Sequence, residues 1–278
     1  MTALPLPSPL VDADWLAAHL DHPDLVVLDA GVGAHRDAPA RIPGARPFDL
    51  DGALSDHASD LPHTMPSPAD LQRELRALGL RARSTAVLYD GAGVYSAPRA
   101  WWMLRAAGFD RAAVLDGGLP AWRAAGHPVT DRRLPCEPGD FTVRPRPGLL
   151  LDRDAVAAAL TDPGTAVLDA RSHERFTGAA PEPRPHLRRG HLPGSTGLPF
   201  TELLGPDGRY LPLPELRARL AAATAGRPHL IASCGSGVTA CVLAFAAHLT
   251  GHPSPAVYDG SWSDWGRPET GLPVRTGP

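Results

Sequence analysis

Lysine is absent, and all 27 basic residues in the 278-residue chain are arginine. No lysine Schiff base, no tethered pyridoxal phosphate and no lysine-ended phosphate loop can be built from such a chain. An anion has to be held by arginine, by backbone N–H groups or by helix ends. Cysteine is scarce too. Cys136, Cys234 and Cys241 are too few for a disulfide framework and none forms a Cys-x-x-Cys pair, which fits a reducing, cytoplasmic setting. No apolar run reaches the roughly 18 residues of a membrane span, so no membrane partner is expected. Met1–Leu10 has neither a charged leading region nor a long apolar stretch, so no secretory signal is expected. A formal net charge of −3 gives no basic excess, and no nucleic-acid partner is expected. What remains is an ordinary globular composition, 43% hydrophobic, at a length that suggests two domains. The 32 prolines and the many alanines and arginines read as compositional bias.

Against that background one stretch carries chemistry, Cys234-Gly235-Ser236-Gly237-Val238-Thr239. It follows the apolar run His229–Ser233 and precedes the Ala-rich segment Ala240–Leu249, an order that predicts strand, Gly-rich turn and helix. The glycines let the backbone curl so that several N–H groups point into one cup. The helix adds its unpaired N–H groups and the positive end of its dipole. A cysteine at the mouth of such a cup has its thiolate favoured over the thiol. The other reading of the loop is a buried cysteine in a tight turn.

The chain also repeats itself. Leu25–Ala30 returns as Thr165–Ala170, and Arg41-Ile42-Pro43-Gly44 as His191-Leu192-Pro193-Gly194. The Asp90-Gly91-Ala92-Gly93-Val94 loop returns as Cys234–Val238, and Ala113–Gly117 as Ala256–Gly260. The offsets are 140, 150, 144 and 143 residues, so the chain is two copies of one unit. Apolar strands alternate in each copy with helical segments such as Ser67–Leu78, Ala97–Ala107 and Pro214–Ala223. That alternation predicts an α/β fold: two tandem domains, each a mostly parallel sheet flanked by helices on both faces. The expected domains are 1–130 and 149–278. The linker, 131–148, lies in the Pro-, Arg- and Gly-rich stretch His127–Gly148. Asp90 stands opposite Cys234, so the first domain is expected to be catalytically silent. Cys136 in the linker reads as incidental, and Cys241, two helical turns past Cys234, as core.

Together with Leu168-Asp169-Ala170-Arg171 and Tyr258-Asp259-Gly260-Ser261-Trp262-Ser263-Asp264-Trp265, these motifs resemble the tandem-domain rhodanese-like sulfurtransferases, from about Val11 to Val274. Within the family the loop is similar to the 3-mercaptopyruvate branch. The thiosulfate branch usually carries a basic residue directly after the cysteine and another two further on, which suits a compact dianion. In this chain the loop offers only glycine, serine and threonine as possible anion-holding residues. The resemblance implies that Arg175 and Arg184 bind the donor's carboxylate and keto group, and that Ser236 works with an Asp and a His from the N-terminal domain, for which Asp51 and His63 are the candidates. The active site would then lie between the domains. The backbone of Gly235, Gly237, Val238 and Thr239 would complete the binding cup. Two positions depart from the family pattern: Arg41 stands for a usual histidine and Asp264 for a common glutamate. Arg171 reads as a structural ion-pair residue.

The expected chemistry is a persulfide relay from 3-mercaptopyruvate through Cys234 to cyanide, a thiol or thioredoxin, with ping-pong kinetics and no cofactor or metal. Three alternatives are a thiosulfate:cyanide sulfurtransferase on the same nucleophile, a cysteine phosphatase, and a non-catalytic sulfur-binding or regulatory module. The phosphatase would need arginine where Ala240 stands. The module would lack the cysteine that the second copy retains.

Overall fold

The computed structural model describes residues 4–253 and 255–278. Met1–Ala3, where the expected first domain and signal-free terminus begin, lie outside the described residues. The chain divides into two compact units. Unit 1 holds the residues up to His57, Met65–Pro147 and Pro206–Tyr210; unit 2 holds Ala58–Thr64, Gly148–Gly205 and Leu211–Pro278.

Unit 1 is built on strands β1 (Leu10–Val11), β2 (Leu25–Asp29), β3 (Arg46–Pro47), β4 (Thr85–Tyr89) and β5 (Ala112–Leu115). They lie in the order β1-β5-β4-β2-β3 and every pairing is parallel. Helices α1 (Ala13–His19), α2 (Pro68–Ala77), α3 (Ala97–Ala106) and α4 (Gly118–Ala124) connect or follow them. Their starts are written locally. Asp12 accepts the Trp15 N–H at the head of α1, and Ser67 accepts that of Asp70 ahead of Pro68 in α2. Val27, Val87 and Ala113 pack on one sheet face against Leu16 of α1 and Trp122 of α4. Their strand neighbours Val26, Leu28, Leu88 and Val114, which point the other way, are equally buried, so both faces are covered.

Unit 2 repeats the plan. Strands β6 (Leu150–Leu151), β7 (Thr165–Asp169), β8 (Thr196–Gly197), β9 (His229–Ser233) and β10 (Pro255–Tyr258) lie in the parallel order β6-β10-β9-β7-β8. Its helices are α5 (Arg153–Ala159), α6 (His173–Thr177), α7 (Leu213–Thr224), α8 (Ala240–Leu249) and α9 (Ser261–Trp265). The central register is the same in both units, Leu25↔Thr85 through Asp29↔Tyr89 in one and Thr165↔His229 through Asp169↔Ser233 in the other. Helix α8 is sealed from Ala240 to Ala247, which explains why its sequence is apolar all round. Among the described residues no helix is long and apolar enough to cross a membrane.

Residues 131–148 contain no helix, but they are not free chain. The Gly139, Phe141, Arg144 and Arg146 N–H groups donate to Arg76, Leu80, Ala107 and Ala106 carbonyls of unit 1. The Phe141 ring meets Phe109 edge to face at 5.2 Å. The stretch is a strap laid along unit 1 and anchored by backbone bonds that composition does not reveal.

Candidate active site

Strand β9 delivers Cys234 to its carboxyl end, and α8 begins six residues later, so the intervening loop sits where helix N-termini converge. Cys234 is 2% exposed. Gly237, at φ 76°, makes the turn that a side chain would oppose. Helix α9 grips the loop from the far side. The Trp262 and Ser263 N–H groups donate to the Cys234 and Gly235 carbonyls, both at 2.9 Å, and Ser263 Oγ donates to Gly235 O at 2.6 Å. Ser261 Oγ accepts the Cys234 and Gly237 N–H groups at 3.1 Å each, donates to Tyr258 O at 2.8 Å and lies 4.0 Å from Cys234 Sγ. With the Cys234 and Gly235 carbonyls turned toward α9, the N–H groups of Gly235, Ser236, Val238 and Thr239 make no hydrogen bond among the described residues. They and the start of α8 form a cup for negative charge.

Unit 1 holds the same loop with its own anion in place. Asp90 Oδ1 accepts the Ala92 N–H at 3.0 Å, and Oδ2 accepts those of Tyr95, Ser96 and Ala97 at 2.9 Å each. Burial pushes the Asp90 carboxyl above its ordinary value, and these four bonds work against that rise. Ala92 and Tyr95 are the counterparts of Ser236 and Thr239, whose N–H groups are open. One loop is closed by a carboxylate and the other is left vacant beside a thiol.

Two further expected residues meet the loop. His63 belongs to unit 2, and its Nδ1 lies 2.8 Å from Ser236 Oγ. Its backbone is left-handed, φ 61°, at the end of a segment pinned by Arg267, whose Nη1 and Nη2 donate to Asp60 Oδ2 at 2.6 Å and Asp60 O at 3.2 Å. Arg175 on α6 reaches the loop closely enough that a Cβ placed on Gly235 would stand 3.1 Å from its Nη2. Arg175 is held by Glu182, and Glu182 by Arg171. Arg171 pairs with Asp169 at 2.6 Å and lies over the Trp262 ring at 4.4 Å. Arg184 is half-buried and makes no ion pair among the described residues. Asp51 belongs to unit 1, where its Oδ2 accepts the Gly33 N–H at 2.7 Å. Cys241 is sealed in α8 with its Sγ bonded to Gly237 O, and Cys136 Sγ donates to Ala77 O.

Sequence reasoning passed over Ser261, Ser263, Glu182 and Arg267. Ser261 and Ser263 lie inside the aromatic motif Tyr258–Trp265, and Glu182 stands between the prolines ahead of Arg184; their partners are what sequence does not reveal. Among the described residues no cluster of His, Cys, Asp and Glu is arranged to hold a metal ion.

The comparisons with known proteins bear on both units. The family description "Rhodanese-like domain" matches residues 12–125 and again 152–267. A Pseudomonas aeruginosa protein named as a probable 3-mercaptopyruvate sulfurtransferase is 45% identical over 270 residues, 92% of this chain and 94% of its own. The mitochondrial thiosulfate/3-mercaptopyruvate sulfurtransferase 1 of Arabidopsis thaliana is 38% identical over 299 residues, covering 96% of this chain and 78% of its own. The crystal structure of the Escherichia coli 3-mercaptopyruvate sulfotransferase SseA superposes with a TM-score of 0.82 at 35% identity, over 92% of this chain and all of that one.

Proposed function

The chain belongs to the rhodanese-like family, and on that premise we propose that it is a sulfurtransferase that takes sulfur from 3-mercaptopyruvate through a Cys234 persulfide and releases pyruvate. The observation that carries the reading is the pair of loops. The first is neutralised by Asp90, while the second offers Cys234 four unclaimed N–H groups.

The Cys234 thiolate attacks the thiol sulfur of 3-mercaptopyruvate. The new S–S bond forms as the C–S bond breaks, and its electron pair passes to carbon as the enolate of pyruvate. The proton released by the persulfide quenches that enolate, so a thiolate and a mercaptan become a persulfide anion and pyruvate. Ser236, hydrogen-bonded to His63, is the proton's route. The cup stabilises the outer sulfur's charge as an oxyanion hole stabilises oxygen. Arg175 and Arg184 hold the donor's carboxylate and keto oxygen. Asp51 is assigned to the same relay by its match to the family motif, a role that Asp51→Asn tests. Cyanide then takes the outer sulfur as thiocyanate; in a cell a thiol takes it as a persulfide, or the thioredoxin dithiol reduces it to hydrogen sulfide and closes to a disulfide. The loop's lack of cationic side chains disfavours thiosulfate as the main donor.

The test is steady-state transfer to cyanide with both donors in parallel. A kcat/KM at least about tenfold higher for mercaptopyruvate is expected. A preference for thiosulfate would overturn the donor assignment. Cys234→Ser should abolish transfer while the chain stays folded, and residual turnover would remove Cys234 as nucleophile. Arg184→Ala should raise the mercaptopyruvate KM and Asp51→Asn should lower kcat; an unchanged constant removes that residue from the scheme.

A further inference from the structure

Arg175, the guanidinium against the loop, is not a free cation. Glu182 Oε2 accepts its Nη2 at 2.6 Å and Oε1 accepts its Nε at 3.3 Å. Glu182 Oε1 also takes Arg171 Nη1 at 2.8 Å. Arg171 is wholly buried and bound through Nε and Nη2 to Asp169 and through Nη2 to Gly190 O. Desolvation pulls its guanidinium down, but Asp169 and Glu182 outweigh that and raise it above its ordinary value, so it stays charged. The chain of ions Asp169, Arg171, Glu182 and Arg175 therefore sums to zero. Of the arginines on the 171–184 stretch, Arg184 alone pairs with no carboxylate among the described residues.

We propose that Glu182 sets donor selectivity by cancelling the charge of Arg175, so that the site accepts a monoanionic sulfur donor and rejects a dianionic one. Arg175 Nη1 makes no hydrogen bond among the described residues, so Arg175 can supply direction without surplus charge. Arg184 supplies the single compensating charge. With the Cys234 thiolate's charge held by the loop N–H groups, a monoanion such as 3-mercaptopyruvate leaves the arginine pair and its carboxylates neutral. Thiosulfate leaves one negative charge uncompensated in a largely buried setting, where its cost is high. The inference rests on reading Arg175 and Arg184 as the donor's ligands. Glu182 touches no donor atom and acts through Arg175, as a positioning and charge-balancing residue.

The experiment compares kcat/KM for thiosulfate and for 3-mercaptopyruvate in wild type, Glu182→Gln and Glu182→Asp. Glu182→Gln keeps the shape and removes the charge, so the thiosulfate-to-mercaptopyruvate ratio should rise about tenfold. Glu182→Asp keeps the charge and should hold the ratio within about threefold of wild type. A merely structural Glu182 would lower both donors together, and an unchanged ratio in Glu182→Gln overturns the proposal. Calorimetric binding of pyruvate and of sulfate to the unmodified protein decides the matter if the variants do not fold. Pyruvate at least about tenfold tighter than sulfate is expected, and sulfate equal or tighter overturns the proposal. Calorimetry needs no turnover, so failed sulfur transfer by the wild-type protein would count against the enzymatic reading and leave the charge argument to be judged by the two anions.

Discussion

Gly235 and Ser261 show how little room the loop leaves. Any side chain at 235 would meet the Arg175 guanidinium at 3.1 Å, and Glu182 holds that guanidinium in place. A side chain directly after the cysteine therefore obliges the Arg175 guanidinium to give way by a few tenths of an ångström. Gly235→Ala should raise the mercaptopyruvate KM about five- to tenfold with little change in melting temperature, since a shift of a few tenths of an ångström at a positioned ligand is enough. An unchanged KM would mean that Arg175 moves freely. Ser261 is non-glycine at φ 49°, where its counterpart in unit 1 is Gly118 at φ 53°. The second unit accepts a strained backbone to place one hydroxyl under two loop N–H groups. Ser261→Ala keeps the strain and leaves both N–H groups without their acceptor, at a cost of about 1–3 kcal/mol. Ser261→Gly loses the same bonds but relieves the strain. Both should lower kcat, with the alanine variant melting first; the reverse order would show that the left-handed backbone carries no strain.

At the scale of elements, the segment 58–64 is the piece that brings His63 to Ser236, and Arg267, just after α9, is its clasp. Arg267 is oriented by its own Nε bond to Ser263 O, and Ser263 also grips the loop. The clasp is a solvent-facing ion pair whose pull holds the Asp60 carboxyl below its ordinary value, an arrangement that contributes little to global stability. Asp60→Ala should therefore leave the melting temperature within about one degree of wild type while lowering kcat severalfold through a loosened His63. Loss of stability without loss of kcat would make the clasp structural. The strand–loop–helix unit around Cys234 was readable because each part has its own local signature: an apolar run, closely spaced glycines, then an apolar helix. The clasp was not, because it joins residues 207 positions apart and neither belongs to a periodic pattern.

For the molecule as a whole, duplication has left two sheets of one register with opposite assignments at the loop. Unit 1 also holds a half-buried acid, Asp116, directly after β5. Burial pushes it up to about 6, against the opposing pull of the Tyr210 N–H and Arg209. The folded chain thus binds the proton more tightly than the unfolded chain, whose value is near 3.8, and stability declines as pH rises through that interval. The loss amounts to at most about 3 kcal/mol above pH 6. Asp116→Asn should melt higher than wild type at pH 7.5, with the gap closing near pH 4. A constant gap across that range would mean that Asp116 ionises in the folded chain as it does in the unfolded one.

The sequence by itself determined the duplication, the parallel α/β architecture, the Cys234 loop and the replacement of its nucleophile by Asp90, because these reside in short contiguous patterns of hydrophobicity and turn residues. Only the tertiary structure decided that Ser261 holds the loop open, that Glu182 divides itself between two arginines, that His63 folds with unit 2, and that 131–148 is a strap tied to unit 1. Each is a pairing of polar groups distant in sequence. Hydrogen bonds and ion pairs of that kind leave no period in the chain, since what selects the partner is the position in space to which two separately folded elements bring it.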